Sequence, residues 1–157
     1  MTGEKFDQDK GPILRGFCRQ FPQALQIIDD GADIDLKAQI LATWAGLYSP
    51  VILAAIKYPK AANTIAAISK FGAAKYEWGG WLQVEDGISR YTEALVRHLI
   101  TEGRDEESGF LHVGHAAWNA LACVELKIRN KEVVQQKYVR LIIALLTQLE
   151  VEETNAV

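Results

Sequence analysis

His98, His112 and His115 are the whole histidine content of this 157-residue chain. All three fall within one stretch, HLITEGRDEESGFLHVGHAAWN, residues 98–119, with Glu102, Asp105, Glu106 and Glu107 between the first and the second. Imidazole and carboxylate together suit borderline divalent ions, so the stretch holds the donors of a metal centre. The same residues also suit ordinary helix ends. Asp105 is a candidate N-cap, and Glu106 and Glu107 would then occupy a first turn, where the helix dipole favours acids.

Helical geometry sharpens the choice. At about 100° per residue, Tyr91, His98 and Glu102 lie within about 40° of one another, on the side of Leu95. His112, His115 and Asn119 stand at i, i+3 and i+7, and their stripe continues through the apolar Ala122 and Leu126. Polar groups on a core-facing stripe must be hydrogen-bonded or ligated. Two helices joined by a tight turn run antiparallel, which would bring the carboxylates and histidines together as helical bundles do around divalent metals.

Two further sets have the chemistry to grip a phosphorylated ligand. Arg90 and Arg97 are seven residues apart and flank Glu93. They read either as a solvated face with a Glu93–Arg97 pair at i,i+4 or as two cations for phosphate oxygens. In FGAAKYEWGGW, Lys75 could reach a phosphate and Tyr76 or Trp81 could stack on a base. The alternative is a packed loop with its tryptophans filling gaps.

The elements that must position these residues are helical throughout, with no convincing alternating strand. A first helix is expected after Pro12, carrying Ile13, Phe17, Phe21, Leu25 and Ile28. DDGADIDL reads as a turn, with Asp33 or Asp35 capping the next helix, LKAQILATWAGLY. Ser49 and Pro50 open another as cap and first position, and Pro59 opens a longer one that Gly72 should end. KYEWGGWLQ is a loop. Helices are then expected from about Val84 to Ile100, from about Glu106 to Ile128 and from about Lys131 to Glu150. The expected architecture is an all-α, single-domain bundle of six or seven helices. It comprises an N-terminal arm at 1–11, a helical insertion at 29–58 and a polar tail at 151–157.

Composition narrows the classes of function. Hydrophobic residues make up 49% and charged residues 24%, which is globular. Lys plus Arg is 17 against 20 for Asp plus Glu, a net charge of −3. That balance argues against a nucleic acid polymer as partner, since phosphate neutralisation needs a basic surface, but leaves room for a small phosphorylated substrate. Cys18 and Cys123 lack the short spacing of a zinc site and read as buried thiols. The charged N-terminus has no signal-like apolar region, and no apolar run approaches a bilayer span. A soluble, cytoplasmic protein without a membrane partner is expected, and the apolar last helix allows a homodimer or higher homo-oligomer.

Several motifs occur in a familiar order: KFDQDK near the start, FGAAKYEWGGW, RYTEALVRHL and EGRDEESGFLHVGHAAWNAL. Together they resemble the phage-associated dATP/dGTP diphosphohydrolase N-terminal-domain family, which is MazG-like. The matching positions are Lys5, Asp7, Lys10, Gly72, Lys75, Tyr76, Trp81, Arg90, Tyr91, Arg97, His98, Glu102, Asp105, Glu107, His112, His115 and Asn119. Thr101 replaces a family glycine, and the segment from about Asp29 to Tyr58 is an addition to the pattern. The resemblance implies hydrolysis of a deoxypurine nucleoside triphosphate to monophosphate and pyrophosphate, in a bacterial or phage-infected cytoplasm. It implies Glu102 and Asp105 as catalytic metal ligands of Mg²⁺ or Mn²⁺, joined by His98, His112 and His115. Substrate would be held by Lys5, Asp7, Lys10, Lys75, Tyr76, Trp81, Arg90, Arg97, Glu107 and Asn119. The chain has no clean upstream Glu-x-x-Glu motif, so histidines would replace it and Mn²⁺ gains ground.

Two other readings compete. One is a non-catalytic helical module that binds a nucleotide or a partner. The other is a histidine–aspartate triphosphohydrolase, which needs an adjacent His-Asp pair that this chain does not contain.

Overall fold

The computed structural model describes residues 10–29 and 35–156. Seven α-helices are present among them: α1 (Pro22–Ile27), α2 (Leu36–Ala45), α3 (Ser49–Lys57), α4 (Pro59–Lys75), α5 (Gly87–Leu99), α6 (His112–Arg129) and α7 (Gln136–Asn155). A π-helical turn at Leu14–Cys18 precedes α1, and a 3-10 turn at Gly80–Gln83 precedes α5. One isolated bridge, Arg104 to Leu111, is the sole extended pairing among the described residues. The fold is all-α, as periodicity predicts. Among the described residues no single helix is long and apolar enough to cross a membrane.

Helix α6 is the axis of the bundle. Residues 119–125 of it are buried without a break, as expected of a helix surrounded on all sides. Against it pack α4, α7 and α1, which contribute Ile65, Leu146, Leu149 and Leu25 to a core completed by Phe17, Phe21 and Leu121. α5 is different: strongly two-faced, with only Gly87 fully buried, it lies on the outside of α6. Their contacts pair Gly87 with Leu126, Ile88 with Cys123 and His98 with His112. The early end of one meets the late end of the other, so the two helices are antiparallel.

Two helix starts are closed by carboxylates from elsewhere in the chain. The N–H groups of Gln23 and Ala24, opening α1, both donate to Glu125 Oε1 at 2.9 Å, while Arg129 holds the other oxygen at 2.9 Å. The N–H groups of Lys60 and Ala61, opening α4, donate to Glu150 at 3.3 and 2.8 Å. Proline in the first turn of each helix supplies no local capping side chain, so the unpaired donors there are met across the core. Gly16 allows the π-turn to lie on α4, since a Cβ there would sit 2.6 Å from the Ala66 carbonyl oxygen.

Several boundaries differ from expectation. The first expected helix is two pieces, because Pro22 cannot continue a hydrogen-bond ladder and starts a helix of its own. Tyr48, not Ser49, stands at the cap position of α3, and Ser49 makes no capping bond. α4 runs through Gly72 to Lys75, since no φ demand is made on that glycine. The last helix begins at Gln136 and continues to Asn155 instead of fraying after Glu150. The largest difference concerns residues 100–111. Asp105 closes only a single turn there, its carbonyl accepting from the Gly109 N–H at 2.7 Å and its side chain from the Ser108 N–H, and α6 begins not at that turn but at His112. Asp35 caps α2 as expected, accepting from the Ala38 N–H at 2.8 Å. Asp33 lies outside the described residues.

Candidate functional site

The loop between α5 and α6 folds back on itself. The Asp105 N–H donates to the Phe110 carbonyl at 2.8 Å, and the His112 N–H donates to the Gly103 carbonyl at 2.8 Å. Gly103 and Gly109 take φ of +84° and +80°, a region costly for other residues. The Asp105 side chain accepts from the Ser108 N–H at 2.9 Å and ties the turn. Asp105 thus caps one isolated turn, which aims it back towards the two helices.

Three ligand atoms, one each from His98, Asp105 and His112, lie within 4.8 Å of one another. The Nδ1 atoms of His98 and His112 are 2.9 Å apart. Adjacent ligands of an ion bound at about 2.1 Å stand about 3 Å apart, the spacing of the two imidazoles, so His98, Asp105 and His112 are a group that could hold a divalent metal. His115 completes the cluster without joining the converging set. Its ring stacks on His98 at 4.5 Å and 14°, and its Nε2 bonds Ser108 Oγ at 2.7 Å, with Asp105 Oδ2 at 3.8 Å.

The electrostatics suit a cation. Burial holds the His115 pKa down at about 4, helped by the facing His98. The His98 pKa is lowered by burial and by His112. Burial alone would raise the Asp105 pKa, but hydrogen bonds from Ser108 outweigh it and the net shift is downward. Near neutral pH His98 and His115 are therefore neutral beside an ionised Asp105, the protonation state in which such groups bind a metal.

A cleft of about 770 Å³ runs beside this cluster, walled by Trp78, Trp81, Tyr91 and Trp118, with Arg90, Arg97 and Asn119 also lining it. Trp81 sits among Phe21, Trp118 and Tyr91 at 5.5, 5.5 and 6.1 Å. Its indole N–H donates to Gln20 at 2.6 Å, and its carbonyl accepts from the Tyr91 hydroxyl at 2.7 Å. Tyr76 stands at the lip, 81% exposed. Arg90 and Arg97 are exposed, and neither forms an ion pair with any described residue. The Glu93–Arg97 pair does not form. Asn119 is buried and donates its amide N–H to the His115 carbonyl at 2.8 Å. That bond leaves its oxygen as the acceptor available to the cleft.

The other expected residues take different positions. Glu102 was expected on the helix face of Tyr91 and His98, but α5 ends at Leu99, and Glu102 falls in the loop, exposed and outside the converging triad. It lines a second hollow of about 540 Å³ with His98, Gln148 and Glu152. Lys75 and Glu107 pair with each other on the surface. Lys10 is exposed, next to Gly11, whose N–H donates to Asn63 at 2.8 Å. Lys5 and Asp7 lie outside the described residues. The sequence reading missed Ser108, although Asp-x-x-Ser is itself a turn signal. It also missed Trp118, three residues beyond His115, and Trp78, whose ring carries the Arg15 guanidinium at 4.2 Å.

A family model described as dATP/dGTP diphosphohydrolase, N-terminal, matches residues 46–136. The match covers more than half of the chain, including every described residue of the cluster and most of the cleft wall. The chain belongs to the dATP/dGTP diphosphohydrolase N-terminal domain family. No curated protein and no solved structure matches it. The family takes its name from a diphosphohydrolase, and its matched segment runs from the end of α2 to the start of α7.

Proposed function

We propose that the chain hydrolyses a purine deoxynucleoside triphosphate to its monophosphate and pyrophosphate. The observation that carries this reading is one juxtaposition on α5. Arg90 and Arg97, without carboxylate partners among the described residues, line an aromatic cleft, and His98 of the metal-fitting triad follows Arg97 directly. A nucleoside triphosphate has the matching parts: a flat base for the tryptophans, a polyanionic tail for the guanidiniums and a scissile phosphate for the cation end.

Stacking on Trp78 or Trp81 would hold the base. The guanidiniums of Arg90 and Arg97 would take phosphate oxygens and stabilise the charge that gathers on departing pyrophosphate. Water attacks the α-phosphorus, and the bond to the α–β bridging oxygen breaks. A divalent ion held by His98, Asp105 and His112 would supply charge neutralisation and a more acidic water. His115 acts as a positioning residue: it is held by Ser108 and stacked on His98, so it orients that ligand ring. Two imidazoles with one carboxylate favour Mn²⁺ over Mg²⁺. MazG-like membership by resemblance and the family's name support the cleavage position.

The test is a panel of deoxy- and ribonucleoside triphosphates with Mg²⁺ or Mn²⁺, with products separated by anion exchange and identified by phosphorus NMR. The reading expects dAMP or dGMP with pyrophosphate. Release of orthophosphate or tripolyphosphate would overturn the cleavage position. Binding without turnover would make the chain a nucleotide-binding module.

A further inference from the structure

Of the tryptophans that wall the cleft, Trp81 and Trp118 are committed to the fold. The Trp81 indole N–H donates to Gln20 at 2.6 Å, and the Trp118 N–H donates to Ser69 Oγ at 2.9 Å. Their rings pack on each other and on Phe21 and Tyr91 in tilted or edge-on contacts. Trp78 is held differently. Among the described residues its indole takes part in no hydrogen bond, and no other ring packs on it. What meets it is the Arg15 guanidinium, 4.2 Å from the ring centroid, the geometry of a cation on a π-face. Trp78 lines the cleft and Arg15 does not, so the guanidinium backs the ring from outside and leaves the other face to the cleft.

The backbone fixes the ring in that position. The Gly80 N–H donates to the Glu77 carbonyl at 3.1 Å, and Gly79 has φ +80° and ψ −4°. Those are the angles of the third residue of a type II turn, which glycine adopts without strain. Trp78 is the second residue of the same turn, so its side chain projects from a closed loop.

We propose that Trp78 is the stacking platform for the base and the residue that sets purine over pyrimidine. The inference rests on the nucleotide reading above and decides between the two rings that reading allows. A stacked base needs a flat, uncommitted face, and Trp81 has none. A purine overlaps the fused rings of an indole with two rings of its own, a pyrimidine with one, and dispersion grows with the atoms in contact. The cation behind Trp78 draws on the ring's π-density and favours an electron-rich, neutral partner on the opposite face. Tyr76 is a poorer platform: it is 81% exposed, and no cation among the described residues backs its ring.

The experiment is isothermal titration calorimetry of the full chain with α,β-methylene-dATP and α,β-methylene-dCTP in Mn²⁺, which separates binding from turnover. Wild type should bind the purine analogue more tightly, by roughly tenfold. Trp78→Leu should raise its dissociation constant at least about tenfold and the pyrimidine analogue's much less, so the preference collapses. Trp78→Phe, which keeps one aromatic ring, should fall between. Both variants should melt like wild type, because the ring is partly exposed. On dATP the loss should appear in KM, with kcat nearly kept. Unchanged affinity in Trp78→Leu overturns the proposal, as does an equal loss for both analogues, which would make Trp78 a wall and not a reader. So does a preference that survives Trp78→Leu and vanishes in Tyr76→Leu. Wild type that binds the purine analogue but releases no dAMP and pyrophosphate from dATP would sink the hydrolysis reading alone, and the dissociation constants would still decide the stack. Failure of wild type to bind either analogue overturns both.

Discussion

His98 at the last turn of α5 and His112 at the first residue of α6 face each other through their Nδ1 atoms at 2.9 Å. Fourteen residues of sequence separate them, and the folded-back loop closes that distance. In the metal-free protein one ring must donate to the other. A bound cation would replace that shared proton and draw on both lone pairs. His98→Ala and His112→Ala are each expected to lower Mn²⁺ affinity at least about a hundredfold, measured by isothermal titration calorimetry. Retained affinity in either variant would move the metal away from this pair.

Acid should begin to destabilise the metal-free protein above the usual carboxylate range. The folded His115 pKa is held at about 4 by burial, against an unfolded value of about 6.5. As pH falls, the unfolded chain takes up the proton first, so stability is level above about pH 6.5 and declines between there and about pH 4. The His98 shift acts in the same direction. The His115 contribution is at most about 3 kcal/mol. Urea titrations at pH 7.5 and 4.5 measure the decline, and it should shrink in His115→Phe.

Arg90 and Arg97 should matter to substrate and not to folding. Neither forms an ion pair with a described residue, so Arg90→Gln and Arg97→Gln should leave the melting temperature within a degree or two. Loss of a guanidinium–phosphate contact is expected to reduce kcat/KM by roughly ten- to a hundredfold, about 1.4–2.7 kcal/mol. Steady-state kinetics on dATP and dGTP check this. Unchanged kinetics in both variants would return the arginines to a solvated face.

Glu125 tests the opposite expectation, a charge that belongs to the fold. It is fully buried, accepts two backbone N–H groups from the start of α1 and pairs with Arg129. Glu125→Leu would strand both donors, so it should lower stability by about 2–3 kcal/mol without altering metal affinity. Chemical denaturation beside calorimetry separates the two effects.

Much of this was readable in advance where the signal is local. Helical periodicity found the all-α class, Asp35 was one of the two candidate caps, and Pro50 and Pro59 marked helix starts. The stripe of His112, His115 and Asn119 gave one side of the site. The loop was misread because Asp105, Glu106 and Glu107 have the chemistry of a helix start. Asp105 does open one turn, but Gly109, at φ +80°, ends it there and the chain folds back before α6. The same misreading put Glu102 on a helix that has already ended. Glu125 and Glu150 could not be assigned at all, because each caps a helix about a hundred residues away or nearly so. The aromatic cleft likewise joins Gln20, Trp81 and Trp118, which no spacing rule links.

Asp105 and Glu102 separate the metal reading from its rivals. Both were expected as ligands from resemblance, and only Asp105 stands in the converging triad. The decisive measurement is turnover of dATP and dGTP by Asp105→Asn at saturating Mn²⁺, with Glu102→Gln alongside and melting curves for both. An asparagine keeps the turn but cannot offset the charge of a divalent ion. The account predicts a folded Asp105→Asn protein at least about a hundredfold slower, roughly 2.7 kcal/mol in the barrier, and a much smaller loss in Glu102→Gln. A wild-type rate in Asp105→Asn would contradict it.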